Sequence, residues 1–196
     1  MNQTRPTKIV TAVLGAALLL AAAACFLYGR LTTGGSHLTT GGSADQNLLA
    51  SSLTRLSTAE SSRERLQAAR WIGEKGETVN SNIIQSLSQS LATDADPSVR
   101  AAVAGTFGNL AERGNRGRAT PGTQEPMMLE ALSAAYDREA NPSVRRCIVE
   151  AAGQFNHPEA ATLLAKALVD ADPAVREAAQ EARLKRERRL TAAVSG

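Results

Sequence analysis

The chain has 196 residues, a formal charge of +3, 3% aromatic side chains and two cysteines. All three surplus positives, Arg5, Lys8 and Arg30, precede Leu31; the charge-balanced remainder exerts no general pull on nucleic acid or anionic lipid. Cys25 sits in an apolar run and Cys147 on an expected core face, so no disulfide framework can be read from them.

Residues 1–8 are polar and basic, and residues 9–28 (IVTAVLGAALLLAAAACFLY) carry no charge. Twenty helical residues cover about 30 Å, the hydrocarbon thickness of a bilayer. Arg5, Lys8 and the amino terminus stand before the run and only Arg30 directly after it. The positive-inside bias therefore places the N-terminus in the cytoplasm and everything beyond Arg30 across the membrane. The length of the run favours an uncleaved single-pass anchor. Two other fates stay open: a secretory signal cut after Ala24, and a lipoprotein signal. Ala22-Ala23-Ala24-Cys25 resembles a lipobox, in which case Cys25 would carry the lipid. All three export the rest of the chain. Residues 29–44 contain LTTGGS twice and read as a flexible tether, with His37 solvated in it.

Helical alternation begins at Asp45 and defines an array over residues 45–190, followed by a tail at 191–196. Leu48, Leu49, Leu53 and Leu56 share one face of a helix ending near Ser57. Ser61 and Ser62 cap a second, from Arg63 to Glu74. A third runs from Val79 to Thr93, with Ile83, Ile84, Leu87 and Leu91 inward. The next stretch, Asp94-Ala95-Asp96-Pro97-Ser98-Val99-Arg100, returns as Glu139-Ala140-Asn141-Pro142-Ser143-Val144-Arg145 and as Asp170-Ala171-Asp172-Pro173-Ala174-Val175-Arg176. Such recurrence marks a repeat array. Each copy opens a helix, because an acidic residue or Asn acts as N-cap and Pro at the first helical position gives up an N–H that has no partner there. The copies continue alike through Val103, Phe107 and Gly108, then Ile148, Ala152 and Gly153, then Ala179 and Arg183. Arg65 falls on Arg100 and Gly73 on Gly108, a worn first copy that places Trp71 in a core-facing slot. The Pro97 helix is expected to end at Leu110. Residues 112–125, with Arg113, Arg116 and Arg118 among glycines, read as a surface loop inserted between repeats. Further helices are expected over Pro126–Asp137 (Met127, Met128, Leu129, Leu132, Tyr136), Pro142–Phe155 and from Pro158 to Asp170 (Leu163, Leu164, Leu168). The last helix starts at Pro173 and runs through Leu190, with Arg183, Lys185, Arg186, Arg188 and Arg189 as the polar outer face that ends the stack.

DxDPxVRxxA followed by a glycine that closes the helix resembles the HEAT repeat, in particular the short bacterial variety shared with phycobilisome lyases. The resemblance implies an all-α fold: an α-solenoid of about four antiparallel helical hairpins in a right-handed superhelix, second helices lining the concave side. It also implies that Arg100, Arg145 and Arg176 form a ladder with Asp or Asn residues of neighbouring turns, giving Asp94, Asp96, Asn141, Asp170 and Asp172 structural roles.

No catalytic set emerges. The two histidines cannot supply a His-rich di-metal site, and there is no Cys-x-x-Cys, phosphate loop or G-x-S-x-G. Cys147 has no base assigned to it and reads as core. No enzyme activity, cofactor, metal, nucleic acid or small-molecule substrate is expected. Binding remains, on the extended concave surface that stacked hairpins leave. The positions the apolar stripe does not use are Leu66, Arg70, Ala101, Ala104, Gly105, Arg146, Val149, Glu150, Glu177 and Gln180. The expectation is a scaffold for protein partners in a bacterial envelope assembly, held in the inner membrane by residues 9–28 with its array in the periplasm. One alternative is an accessory subunit whose membrane helix packs into a larger complex through Ala12, Gly15, Ala16 and Ala17. The other is a lyase-like enzyme or chaperone.

Overall fold

The computed structural model describes residues 44–75, 80–116 and 124–194. Among them run eight helices and no strand: α1 (Ala44–Thr58), α2 (Ser62–Lys75), α3 (Ser81–Thr93), α4 (Pro97–Asn115), α5 (Glu125–Arg138), α6 (Pro142–Ala152), α7 (Pro158–Ala167) and α8 (Pro173–Val194). The openings follow from local chemistry. Asp96 accepts the Ser98 N–H at 2.8 Å, Asn141 that of Ser143 at 2.9 Å, and Asp172 that of Ala174 at 2.8 Å. Each is an N-cap that satisfies one orphan donor of its helix. α3 lacks the proline and uses Asn80 instead, which accepts from Ile83 N–H at 3.0 Å.

The helices pair in sequence as four hairpins, α1–α2 to α7–α8, stacked as an α-solenoid. First helices form one layer and second helices the other. Between them lie the recurring apolar positions: Val99, Val144 and Val175, then Val103, Ile148 and Ala179, all essentially inaccessible. Phe107, Phe155, Ile72 and Ile84 fill the remaining volume.

Glycine closes only one of these helices: Gly73 and Gly108 lie inside α2 and α4, whereas Gly153 is the C-cap of α6, with φ −60°, ordinary right-handed backbone. All three are buried where one second helix meets the next. A Cβ on Gly108 would stand 3.0 Å from Ala151 Cα; one on Gly153 would stand 2.7 Å from Ala182 Cβ. Removing the side chain lets the backbones touch. Thr106 marks the same level between α2 and α4, where its hydroxyl donates to Ala69 O at 2.8 Å. First helices instead splay, leaving a cleft of about 440 Å³ between α3 and α5 and one of about 540 Å³ between α5 and α7. The stack is thus tighter along its second helices than along its first.

Several expectations need correction. α4 runs to Asn115 rather than Leu110, because Ala111 is buried and the polar turn beyond it docks on neighbouring helix ends; residues 112–115 are therefore helix, not loop. Arg118 lies outside the described residues. α6 ends at Ala152, although Phe155 remains fully buried, and α7 ends at Ala167 with Leu168 only half-buried. Leu48 is 48% exposed, since no preceding hairpin covers α1 among the described residues, and Met127 at 43% faces the α3–α5 cleft. Ala104 and Val149 are inaccessible rather than part of an open face. They point into the layer between stacked hairpins, which a single-helix pattern cannot distinguish from solvent. Among the described residues no helix is long and apolar enough to cross a membrane. The expected span at 9–28, with Cys25, and the tether with His37 lie outside the described residues.

Candidate functional site

Charged side chains link the hairpins in a regular way. Arg65 grips Asp94 with Nε and Nη2 at 2.7 and 2.9 Å, Arg100 grips Glu139 at 2.7 and 2.9 Å, and Arg145 grips Asp170 at 2.9 Å twice. In every case the arginine is on a second helix and the carboxylate in the turn of the next hairpin. The third nitrogen, Nη1, donates to the two carbonyls opening its own turn, for Arg100 those of Asp94 and Ala95. The carboxylate also accepts the backbone N–H two residues on, at Asp96, Asn141 and Asp172. Bidentate, charge-assisted bonds of this kind fix orientation as well as distance.

The expected ladder is thus shifted by one rung. Arg65 belongs to it, and so does Glu139, a glutamate where the resemblance implied Asp or Asn. Asp96, Asn141 and Asp172 are caps, not rungs. Arg176 donates Nη1 to Asp170 O and Ala171 O but meets no carboxylate among the described residues, where no further inter-helix turn follows it.

Burial opposes ionisation of Asp94, but the Arg65 hydrogen bond and the Asp96 N–H prevail and hold its carboxyl below the usual range. Glu139 is held down by Arg100, and Asp170 further still by Arg145 with help from the Tyr136 hydroxyl. Burial and the Asp170 bond correspondingly push the Tyr136 phenol up. Glu125 behaves in the opposite sense. It is 8% exposed at the start of α5, and burial raises its carboxyl despite His157 and Arg189 nearby. A depressed carboxyl stabilises the fold above its unfolded pKa and loses that contribution as pH falls through its folded value. A raised one stabilises below its unfolded pKa and loses this as pH rises through its folded value. Stability should therefore rise slightly on mild acidification and collapse below about pH 4, the unfolded carboxylate range. Urea midpoints across pH will show this. Glu125→Gln should flatten the upper slope and leave the acid limb; stability that keeps rising through the carboxylate range would contradict the ladder.

At the other end of the second helices runs a further set of links, unseen in the sequence. Arg113 Nη1 donates to Glu74 O at 3.0 Å, Asn115 to Gln154 O at 2.7 Å, and Arg189 Nη2 to Gly153 O at 2.7 Å. Arg186 donates to the carbonyls of Phe155, Asn156 and His157. These arginines satisfy orphan carbonyls where the preceding helix ends. Arg186 and Arg189 are accordingly not the free outer face expected of the last helix. Arg113 and Arg189 stand equally far after Pro97 and Pro173, a spacing that would have exposed the pattern.

The accessible strip on the second helices is what remains open. Arg70, Arg146, Glu150, Glu177 and Gln180 are exposed; Leu66, Ala101 and Gly105 are half-buried. Arg146 and Glu150 pair at 3.4 Å. In repeat register Arg70, Gly105, Glu150 and Glu181 occupy one position and Leu66, Ala101, Arg146 and Glu177 another. The strip therefore dips at α4, where a Cβ on Gly105 would meet nothing within 4 Å. Charged side chains stand on both sides of the dip. Glu181, absent from the sequence-derived set, completes the row.

Little else invites chemistry. Among the described residues no group of three or more His, Cys, Asp and Glu is placed to hold a metal ion. Burial pushes the Cys147 thiol up, away from the reactive thiolate. His157 serves as the α7 cap, accepting from Glu159 N–H at 3.4 Å.

Residues 83–114 match the family described as HEAT repeat, and residues 129–182 match the one described as HEAT repeats. No curated protein matches the chain.

Proposed function

We propose, for an α-solenoid that carries HEAT repeats over 83–114 and 129–182, the role of a non-catalytic scaffold that binds a protein partner along its second helices. HEAT repeats generally mediate protein–protein interaction. The observation that carries the reading here is the dip at Ala101 and Gly105, bounded by Arg70 and by Arg146 and Glu150. A partner helix or extended peptide can approach the α4 backbone closely there, and the flanking charges set its direction. A photo-crosslinking side chain introduced at Gly105 has room in the structure. It is expected to trap a discrete protein that the same group at Val169, 82% exposed away from the strip, does not. Equal trapping at both positions, or at neither, would sink the reading.

The scaffold is held at a bacterial inner membrane by residues 9–28, with its helices on the periplasmic side, within an envelope assembly. The support is the uncharged run and its flanking Arg5, Lys8 and Arg30. The chain should resist alkaline extraction from membranes, and a chain lacking residues 1–30 should be released. Release of the intact chain would leave the array without its anchor.

A further inference from the structure

Three interior junctions in the array share one contact. The residue eleven places after the helix-opening position of a second helix meets the residue nine places after that of the next. The pairs are Gly73 with Thr106, Gly108 with Ala151, and Gly153 with Ala182. One member is always glycine and the other never exceeds threonine. The space is taken: a Cβ on the glycine side would lie 3.1 Å from Thr106 Oγ1, 3.0 Å from Ala151 Cα and 2.7 Å from Ala182 Cβ.

The same two positions recur at the ends of the stack. On α8, which no second helix follows among the described residues, the glycine position holds Leu184, 40% exposed. On α2, which no second helix precedes among the described residues, the small-partner position holds Trp71, half-buried. If a second copy continued the stack head to tail, Leu184 would have to meet Trp71 where the interior tolerates no side chain on one side and at most a threonine on the other. The ladder breaks at the same point. Arg176 would need a carboxylate three residues before the next helix opening, as Asp94, Glu139 and Asp170 provide inside; the first hairpin offers Ala59 there.

We infer that both ends of the array are closed to a second copy of this chain, by Leu184 and Trp71 sterically and by Ala59 electrostatically. Stacked repeats present the same kind of surface at each junction and propagate unless the terminal ones are made unlike the rest. The charged face of α8 makes the end soluble, whereas these three residues remove the fit itself. A partner is then directed to the strip and away from these two faces.

The test is sedimentation velocity of the full chain in mild detergent over a wide concentration range. The variant W71T/L184G recreates the Gly73–Thr106 pair, and W71A/L184G recreates the other two junctions while guarding against a fold defect in the first. Both are checked for helicity by circular dichroism. Either folded variant is expected to sediment progressively faster than wild type as concentration rises. Adding A59D should strengthen that association, and R176A on top should cancel the increment. If the folded variants, with and without A59D, sediment as wild type does at every concentration, the ends are not held apart by these residues and the proposal fails.

Discussion

Asp170→Ala is expected to destabilise the array by about 3–5 kcal/mol, the range for removing one partner of a buried ion pair. Asp170 is 6% exposed and Arg145 16%, so little water is at hand to replace a lost partner. The substitution would strand the Arg145 fork, the Tyr136 hydroxyl that donates to the same carboxylate, and the Asp172 N–H. Stability in a repeat array is close to a sum over hairpins and their junctions. The loss should therefore appear first as faster amide exchange in α7 and α8, before the rest of the stack responds. Arg145→Ala combined with Asp170→Ala should cost less than the two single changes added together, since the pair is removed rather than broken. A single Asp170→Ala variant that unfolds like wild type would mean the rung is ornamental.

Gly108→Leu and Gly105→Ala should move stability in opposite directions, although the residues lie within one turn of the same helix. At Gly108 the neighbouring atom is backbone, Ala151 Cα, at 3.0 Å from a Cβ, and backbone cannot swing aside. Overpacking there costs about 3 kcal/mol, at the upper end of the usual range. Replacing a mid-helix glycine returns about 1 kcal/mol of helix propensity, leaving a net loss of about 2 kcal/mol. For a domain of this size that corresponds to a fall in Tm of about 4–8 °C. At Gly105 nothing lies within 4 Å, so the propensity gain of about 1 kcal/mol stands alone. Thermal melts of the two variants decide the matter: a Gly108→Leu chain as stable as Gly105→Ala would show that the helices can simply spread.

The ladder's electrostatics and the glycine junctions rest on different physics, and only one of them was open to sequence reasoning. Arg100 and Arg145 were legible because they recur at fixed distance from a helix-opening proline. Their partners were less so: Glu139 occupies the place of Asp94 and Asp170 but differs in type, and the pairing runs to the following turn, which no local pattern encodes. Arg186 and Arg189 read as surface charge because an arginine reaching another helix's carbonyls looks, along the chain, like any solvated arginine. Ala104 and Val149 looked accessible because helical periodicity reports the face turned to a helix's own hairpin partner. It says nothing of the flank pressed by the neighbouring hairpin.

What the amino-acid order determined by itself was therefore local and repeated: where helices begin, through Asp or Asn followed by Pro, and which residues line the hairpin interior, through spacing alone. Those follow from backbone capping and side-chain period, interactions that span only a few residues. Only the tertiary structure decided what glycine was for, which acid each arginine held, and which part of the second helices stayed open. Those depend on backbones from different hairpins coming within van der Waals contact, a distance set by the whole stack rather than by any one stretch of chain.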